Sequence, residues 1–390
     1  VVRKRDLVHP ITAGFVAAIS GFASSFALVI AGLAAVGASD DQAASGLFTL
    51  CLCTTIVSTI AALWLRLPIA IAWSTPGAAV LLAAAGHGIQ FSDAVGAFLV
   101  SAALMLLCGL WPALGRAITS IPKPLASAML AGVLLPICLA PVNAVATLPL
   151  YAVPIVVVWL VLYRLAPRWA VPAAMVVAIV AVFVSAGTDW LDAAAIAPRL
   201  ELVAPTFDLY TVLSVGLPLF LVTMAGQNVP GFTVLSTNGY PPVPRFALVS
   251  TGLGSAAGAF FGAHAINLGA ITAAIMAGDE SHTPRARRWI ATLTNGLLYL
   301  PLGLCAAAAV ALVSAAPSIL VTAVAGLAVL GALITSIVNA LDDAAHRVTA
   351  IITFLVVASG IAPFGIGSAF WGLAVGALVM LWLRPRRRVE

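Results

Sequence analysis

Long apolar runs alternate with short polar punctuation along the whole chain. Fourteen runs stand out. They lie at 11–37, 43–65, 68–86, 94–115, 125–150, 153–165 and 172–187, then at 209–235, 246–263, 264–278, 289–315, 319–340, 348–361 and 366–383. Most approach the about 20 residues that a helix needs to cross a hydrocarbon core. Runs six and thirteen are short, so twelve long spans with re-entrant pieces is an alternative count.

Two runs depart from the pattern. IAIAWSTPGAAVLLAAAG (69–86) and AHAINLGAITAAIMAG (263–278) each open with an extended-looking, polar stretch and then become a short run of helix formers. They hold corresponding places in the two halves. Paired, interrupted segments of this kind point to a transporter site near the bilayer midplane, and two half-helix N-termini there suit a small anion. In the first, Pro76 and Gly77 fit the opening turn of a helix starting near Thr75, with Ser74 or Thr75 as its cap. A Pro-kinked helix with hydroxyls bonded back to the chain is the plain alternative. In the second, Asn267 is a natural N-cap for a helix over 268–276, and Gly269 permits close backbone approach.

Charge sets the orientation. With the N-terminus in the cytoplasm and strict alternation, 17 of the 18 Lys+Arg residues fall on the cytoplasmic side, from Arg3, Lys4 and Arg5 to Arg384, Arg386, Arg387 and Arg388; only Arg199 does not. Asp40, Asp41, Asp93, Asp189, Asp192, Glu201 and Asp208 fall outside. Both termini are then cytoplasmic and the span count is even. Seven spans per half is odd, so homologous halves must be inverted. Segment 1, with Ser20-Gly21-Phe22 as a polar interruption, matches segment 8, with Gly226-Gln227-Asn228. The fold expected is an all-α polytopic membrane protein of about 14 segments in two inverted seven-segment repeats.

Composition closes off other classes. The chain is 63% hydrophobic and 8% charged, with a mean hydropathy of +1.15, against roughly 25% charged residues in a soluble domain. The net charge of +5 reads as orientation signal rather than nucleic-acid binding. The basic opening VVRKRD leads straight into a long span and does not read as a cleavable signal. All five cysteines lie in apolar runs and read as core residues. No metal-ligand cluster, phosphate-binding glycine loop or Ser/His/Asp spacing is present, so neither an enzyme nor a cofactor or metal is expected.

No Asp, Glu, Lys or Arg falls mid-span, which excludes a voltage sensor and a carboxylate-ringed cation channel. The candidate substrate ligands are therefore neutral: Ser20 and Phe22; Ser74, Thr75 and Gly77; Gln227 and Asn228 beside a Pro-Gly break; Asn267, Leu268 and Gly269. His264 is the one histidine deep in a run and the candidate proton carrier. Asp342 and Asp343 read as a solvated helix end with His346 and Arg347.

ITAGFVAAISGFASSFALV, IAWSTPGAAVL, MAGQNVPGFTVL and FFGAHAINLGAITAAI together resemble the bacterial benzoate:proton symporter family (the BenE type) over essentially the whole chain. More distantly the layout is similar to nucleobase and sulfate permeases. The resemblance implies a core domain of 1–115 and 209–315 (segments 1–4 and 8–11) and a gate domain of 116–208 and 316–390 (segments 5–7 and 12–14), with the site between segments 3 and 10. It implies an inner-membrane importer of benzoate or a close aromatic carboxylate, with a proton and the lipid bilayer as its other partners and a homodimer left open. The carboxylate would meet Thr75, Gln227 and Asn267, and the ring would pack beside Phe22. Nucleobase permeases carry acids in segments 8 and 10, where this chain has Gln227 and the neutral Asn267, Gly269 and Ala270. Loss of those acids suits an anionic cargo and removes the obvious proton carrier. A nucleobase or sulfate-type permease and an uncoupled anion channel are the alternatives.

Overall fold

A computed structural model describes residues 5–119, 122–188, 190, 198–278, 281 and 284–383. The terminal basic residues Arg3, Lys4, Arg384, Arg386, Arg387 and Arg388, with Asp189 and Asp192, lie outside the described residues.

Among the described residues, seven helices are individually long and apolar enough to cross a membrane, and a helix pair bent by 57° (Arg285–Leu304 and Ala306–Ala315), taken as one span, makes an eighth. Three shorter apolar helices, the helix Pro244–Ala259 and two strand-plus-half-helix segments complete fourteen segments. Their outer surfaces expose Trp64, Leu150, Leu160, Val184 and Trp382. A helix apolar on all sides belongs in lipid. Segment 2 (Asp40–Leu65) starts at a capping box in which Ser39 Oγ accepts from Gln42 N–H and Gln42 Oε1 accepts from Ser39 N–H, with Asp40 and Asp41 against the helix dipole.

The two repeats are inverted, and the packing carries their pseudo-two-fold. Segment 5 (Lys123–Thr147) packs along its counterpart, segment 12 (Ser318–Leu341). Segment 2 packs on segment 11 while segment 4 packs on segment 9, which is the same contact seen from each repeat. Segments 6 and 7 pair as 13 and 14 do. Segment 3 meets segment 10 through β1 (Ile71–Trp73) and β2 (Ile266–Leu268), antiparallel, with Ile71 opposite Leu268, Ala72 opposite Asn267 and Trp73 opposite Ile266.

The polar positions of segment 1 stay within its helix, and one sequence expectation, in segment 8, is corrected. Segment 1 is one continuous helix, Arg5–Ala35; Ser24 and Ser25 return hydroxyl bonds to the Gly21 carbonyl (3.0 Å each), and the small residues do not interrupt it. Segment 8 likewise runs unbroken over Leu209–Thr237. It absorbs Pro230 by widening into a π-turn at Met224–Asn228, just before the residue that lacks an N–H, so the expected Pro-Gly break is absent.

Candidate functional site

Each broken segment turns from strand to helix at the centre of the bundle. In segment 3, Ser74 Oγ accepts the N–H of Gly77 (3.0 Å), and Pro76 occupies the first turn of the half-helix Thr75–Ala83. That start is where the sequence puts it.

Segment 10 differs. Its half-helix is Ala270–Ala277, and Gly269 precedes it with no capping side chain of its own. Asn267 is not the cap. It lies in β2, and pairing with β1 keeps the backbone extended through Leu268, ending with the Gly269 N–H on the Ala70 carbonyl (2.9 Å). Its amide is spent inside the ladder: with its orientation satisfying both ends, the nitrogen donates to the carbonyls of Leu268 and Ala72 and the oxygen accepts from Ser74 Oγ. The cap comes from another segment. Gln227 Oε1 accepts the Ala270 N–H (3.3 Å), and Asn228 Oδ1 accepts the Leu268 N–H (3.0 Å). At the far end the Arg288 guanidinium donates to the Ala277 carbonyl, placing a cation where the dipole is negative.

A cavity of about 350 Å³ opens beside this ladder. One wall is Ser20 and Gly21 of segment 1, Trp73 and Thr75 of segment 3, Gln227, the Gly269–Thr272 turn, and Tyr299 of segment 11. Facing them are Trp159, Tyr163, Arg168 and Val171 from segments 6 and 7, with Leu327 and Leu330 from segment 12. Ser20 Oγ donates to the Arg168 carbonyl (3.1 Å), joining the two walls. Trp73 stands edge-on to Phe22 (5.6 Å) and to Tyr299 (5.4 Å), and its indole N–H donates to Ser25 Oγ (2.8 Å). Trp73 is thus a fixed aromatic wall with its polar atom already engaged.

Of the sequence candidates, Ser20, Thr75, Gln227 and Gly269 line the cavity. Phe22, Ser74, Gly77, Asn228, Asn267 and Leu268 stand behind it. Phe22 stacks on Phe26 (5.3 Å) as backing for Trp73. Ser74 shares a hydroxyl bond with Thr223 (2.7 Å), Gly77 packs on Leu219 and Ser74, and Leu268 packs into the space left at Gly231, where a Cβ would come within 2.6 Å of its own. His264 is also off the cavity, fully buried, with Nε2 bonded to the Ser74 carbonyl (3.0 Å) and its ring against Phe98 (6.4 Å). At the end of segment 12, Asp343 accepts from His346 (2.7 Å) and from the Ala345 N–H (3.0 Å). Those bonds, that of His346 foremost, hold its carboxyl below the usual range, and the pair forms the solvated turn expected there.

Sequence reasoning missed Tyr299, Trp159, Tyr163 and Arg168. A signal existed for Tyr299: a phenol alone in the apolar run GLLYLPLG needs a partner for its hydroxyl. Trp159 and Tyr163, four apart on one helix and stacked at 4.9 Å, form a legible aromatic face.

Known proteins give the same architecture. The transmembrane domain of a cyanobacterium bicarbonate transporter, BicA, matches 98% of this chain and 98% of its own at TM-score 0.59 and 16% identity. SLC26A9 matches 98% of this chain and 66% of its own at TM-score 0.60 and 13% identity; these likenesses speak for the fold alone. In sequence, the chain is 37% identical over 366 residues to the inner membrane protein YdcO of Escherichia coli (94% of this chain, 93% of YdcO). It is 29% identical over 375 residues to the benzoate membrane transport protein of Acinetobacter baylyi (96% of this chain, 95% of that one). The family description "Benzoate membrane transport protein" (BenE) matches residues 6–381, and on that breadth the chain belongs to the BenE family, a family of membrane transporters rather than enzymes.

Proposed function

We propose that the protein imports benzoate, or a close aromatic carboxylate, across the bacterial inner membrane together with a proton. What carries the reading is one juxtaposition: the N-terminal turns of both half-helices open onto a single cavity whose other walls are aromatic and aliphatic. The first N–H groups of a helix have no partner within it. At Thr75 and at Ile271–Thr272 they offer donors and a positive dipole end to a carboxylate. Trp73, Trp159 and Leu327 offer a ring-sized apolar surface. The name of the Acinetobacter relative agrees with that chemistry.

Segments 1–4 and 8–11 act as the moving core and segments 5–7 and 12–14 as the gate, with the cavity at their boundary. The arginine distribution supports cytoplasmic termini. Among the described residues that line the cavity none is acidic or a histidine; the proton travels with the cargo, sharing the site as a hydrogen-bonded pair. One carboxylate with one proton is electroneutral, and no permanently charged carrier is needed. His264 then serves as a brace: its bond to the Ser74 carbonyl ties the turn after β1 to the approach to β2.

The test is uptake of labelled benzoate into proteoliposomes across a pH gradient, with and without an uncoupler. Saturable accumulation that collapses with the uncoupler is expected, with little competition from sulfate, bicarbonate or uracil. Uptake that ignores the gradient would turn the reading to an uncoupled channel. His264→Gln is expected to keep gradient-driven accumulation; a variant that exchanges benzoate but no longer accumulates it would move the proton onto the histidine.

A further inference from the structure

The hydroxyls facing the cavity are not equally free. Ser20 donates to the Arg168 carbonyl, Ser24 and Ser25 to the Gly21 carbonyl, and Thr272 to the Gly269 carbonyl (3.2 Å). Thr75, Tyr163 and Tyr299 make no such bond among the described residues, and of these three only Tyr299 is buried. The residue is 1% exposed and lines the cavity, and its phenol makes no hydrogen bond to another described residue. A buried phenol ordinarily finds one.

Its position is held from two sides. The ring stands at 87° to Trp73, 5.4 Å between centroids, and Trp73 is itself anchored on Ser25. The hydroxyl reaches the side of segment 1 at Gly21, where any Cβ would lie 2.9 Å from the phenol oxygen and 3.5 Å from the Thr272 methyl. The oxygen therefore sits beside the opening turn of the segment 10 half-helix. Glycine at position 21 keeps that space clear.

We propose that Tyr299 is a direct substrate ligand, its hydroxyl donating to the carboxylate of the cargo held at the start of the segment 10 half-helix. The assignment rests on the function proposed above and adds a residue that reads charge. A neutral O–H donor rewards an anionic acceptor more than a neutral amide. A fixed ring gives that donor its direction without rotamer entropy to lose. Tyr299 thus separates aromatic carboxylates from isosteric neutral aromatics, a distinction the apolar walls cannot make.

Tyr299→Phe removes one oxygen and leaves the ring on Trp73. Purified wild type and variant would be titrated with benzoate and, separately, with benzamide. Benzoate binding is expected to weaken about tenfold or more, the usual loss for a hydrogen bond to a charged group, while benzamide binding changes far less. Gly21→Ala, which crowds the same oxygen, is expected to weaken benzoate binding in the wild type and to add little in the Phe background. Unchanged benzoate affinity in Tyr299→Phe, or equal loss for both ligands, would overturn the assignment while leaving the proposed transport intact. A wild type that binds no benzoate would overturn both.

Discussion

The two half-helices occupy equivalent places in the repeats but are started by different means. Segment 3 supplies its own cap, Ser74 on Gly77, and its own proline at the first turn. Segment 10 has neither, and takes its acceptors from Gln227 and Asn228 on segment 8. One half of the site is a local property of a short peptide. The other exists only once a distant helix is seated against it. Gln227 touches both the half-helix and the cavity, so on the proposed function cargo and half-helix would share one side chain.

The largest effect is expected where the borrowed support is deepest. Asn228 is fully buried, and its oxygen is the acceptor for the Leu268 N–H. Asn228→Leu would strand that N–H in an apolar interior, at about 1–3 kcal/mol. Transport should be abolished and the thermal midpoint of the detergent-solubilised protein should fall. A variant with wild-type melting and uptake would show that β2 holds its shape without segment 8.

Gln227 comes next. Gln227→Glu keeps an acceptor for the Ala270 N–H but replaces the amide donor with negative charge beside the proposed carboxylate position. Benzoate affinity should fall about tenfold or more, with melting little changed. Gln227→Ala, losing the cap without adding charge, should weaken binding less and lower stability by about 1 kcal/mol. Equal affinities in the Glu variant and the wild type would remove Gln227 from the site.

The smallest effect belongs to the self-sufficient half. Ser74→Ala deletes a cap and leaves Thr223 without its hydroxyl partner, for a loss of about 1–2 kcal/mol in stability. Because Ser74 stands behind the cavity, affinity should stay within a few-fold of wild type. A loss matching that of Gln227→Glu would mean that the two halves respond alike and that the contrast between them is only geometric.

This asymmetry also explains what could be read from the chain. Ser74-Thr75-Pro76-Gly77 encodes its turn in adjacent residues, so the helix start at Thr75 is legible. Asn267 carries an equally good capping signal, but the ladder claims its amide and delays the helix to Ala270. Nothing near position 267 records that β1 lies alongside. The π-turn at Met224–Asn228 is hidden for a related reason: it is a response to Pro230 inside a packed helix, whereas the sequence pattern suggests only a break. Phe22 attracts notice as the aromatic of segment 1, yet it buttresses Trp73. Tyr299, from a run of leucines, reaches the cavity instead. Periodicity reports the spans well because each span answers to lipid. Which side of a buried helix faces a cavity depends on its neighbours.

The β1–β2 ladder also constrains how the chain is made. Its strands lie in different repeats, so during synthesis residues 71–73 enter the membrane long before residues 266–268 exist. Unpaired strand groups have no place in hydrocarbon. The nascent first repeat must therefore keep segment 3 sheltered, in the insertion machinery or in a wet crevice, until segment 10 arrives. Insertion of segment 10 would then be a late, committing step of biogenesis, and a ribosome stalled before residue 266 should leave a first repeat that proteases and quality control recognise as unfinished.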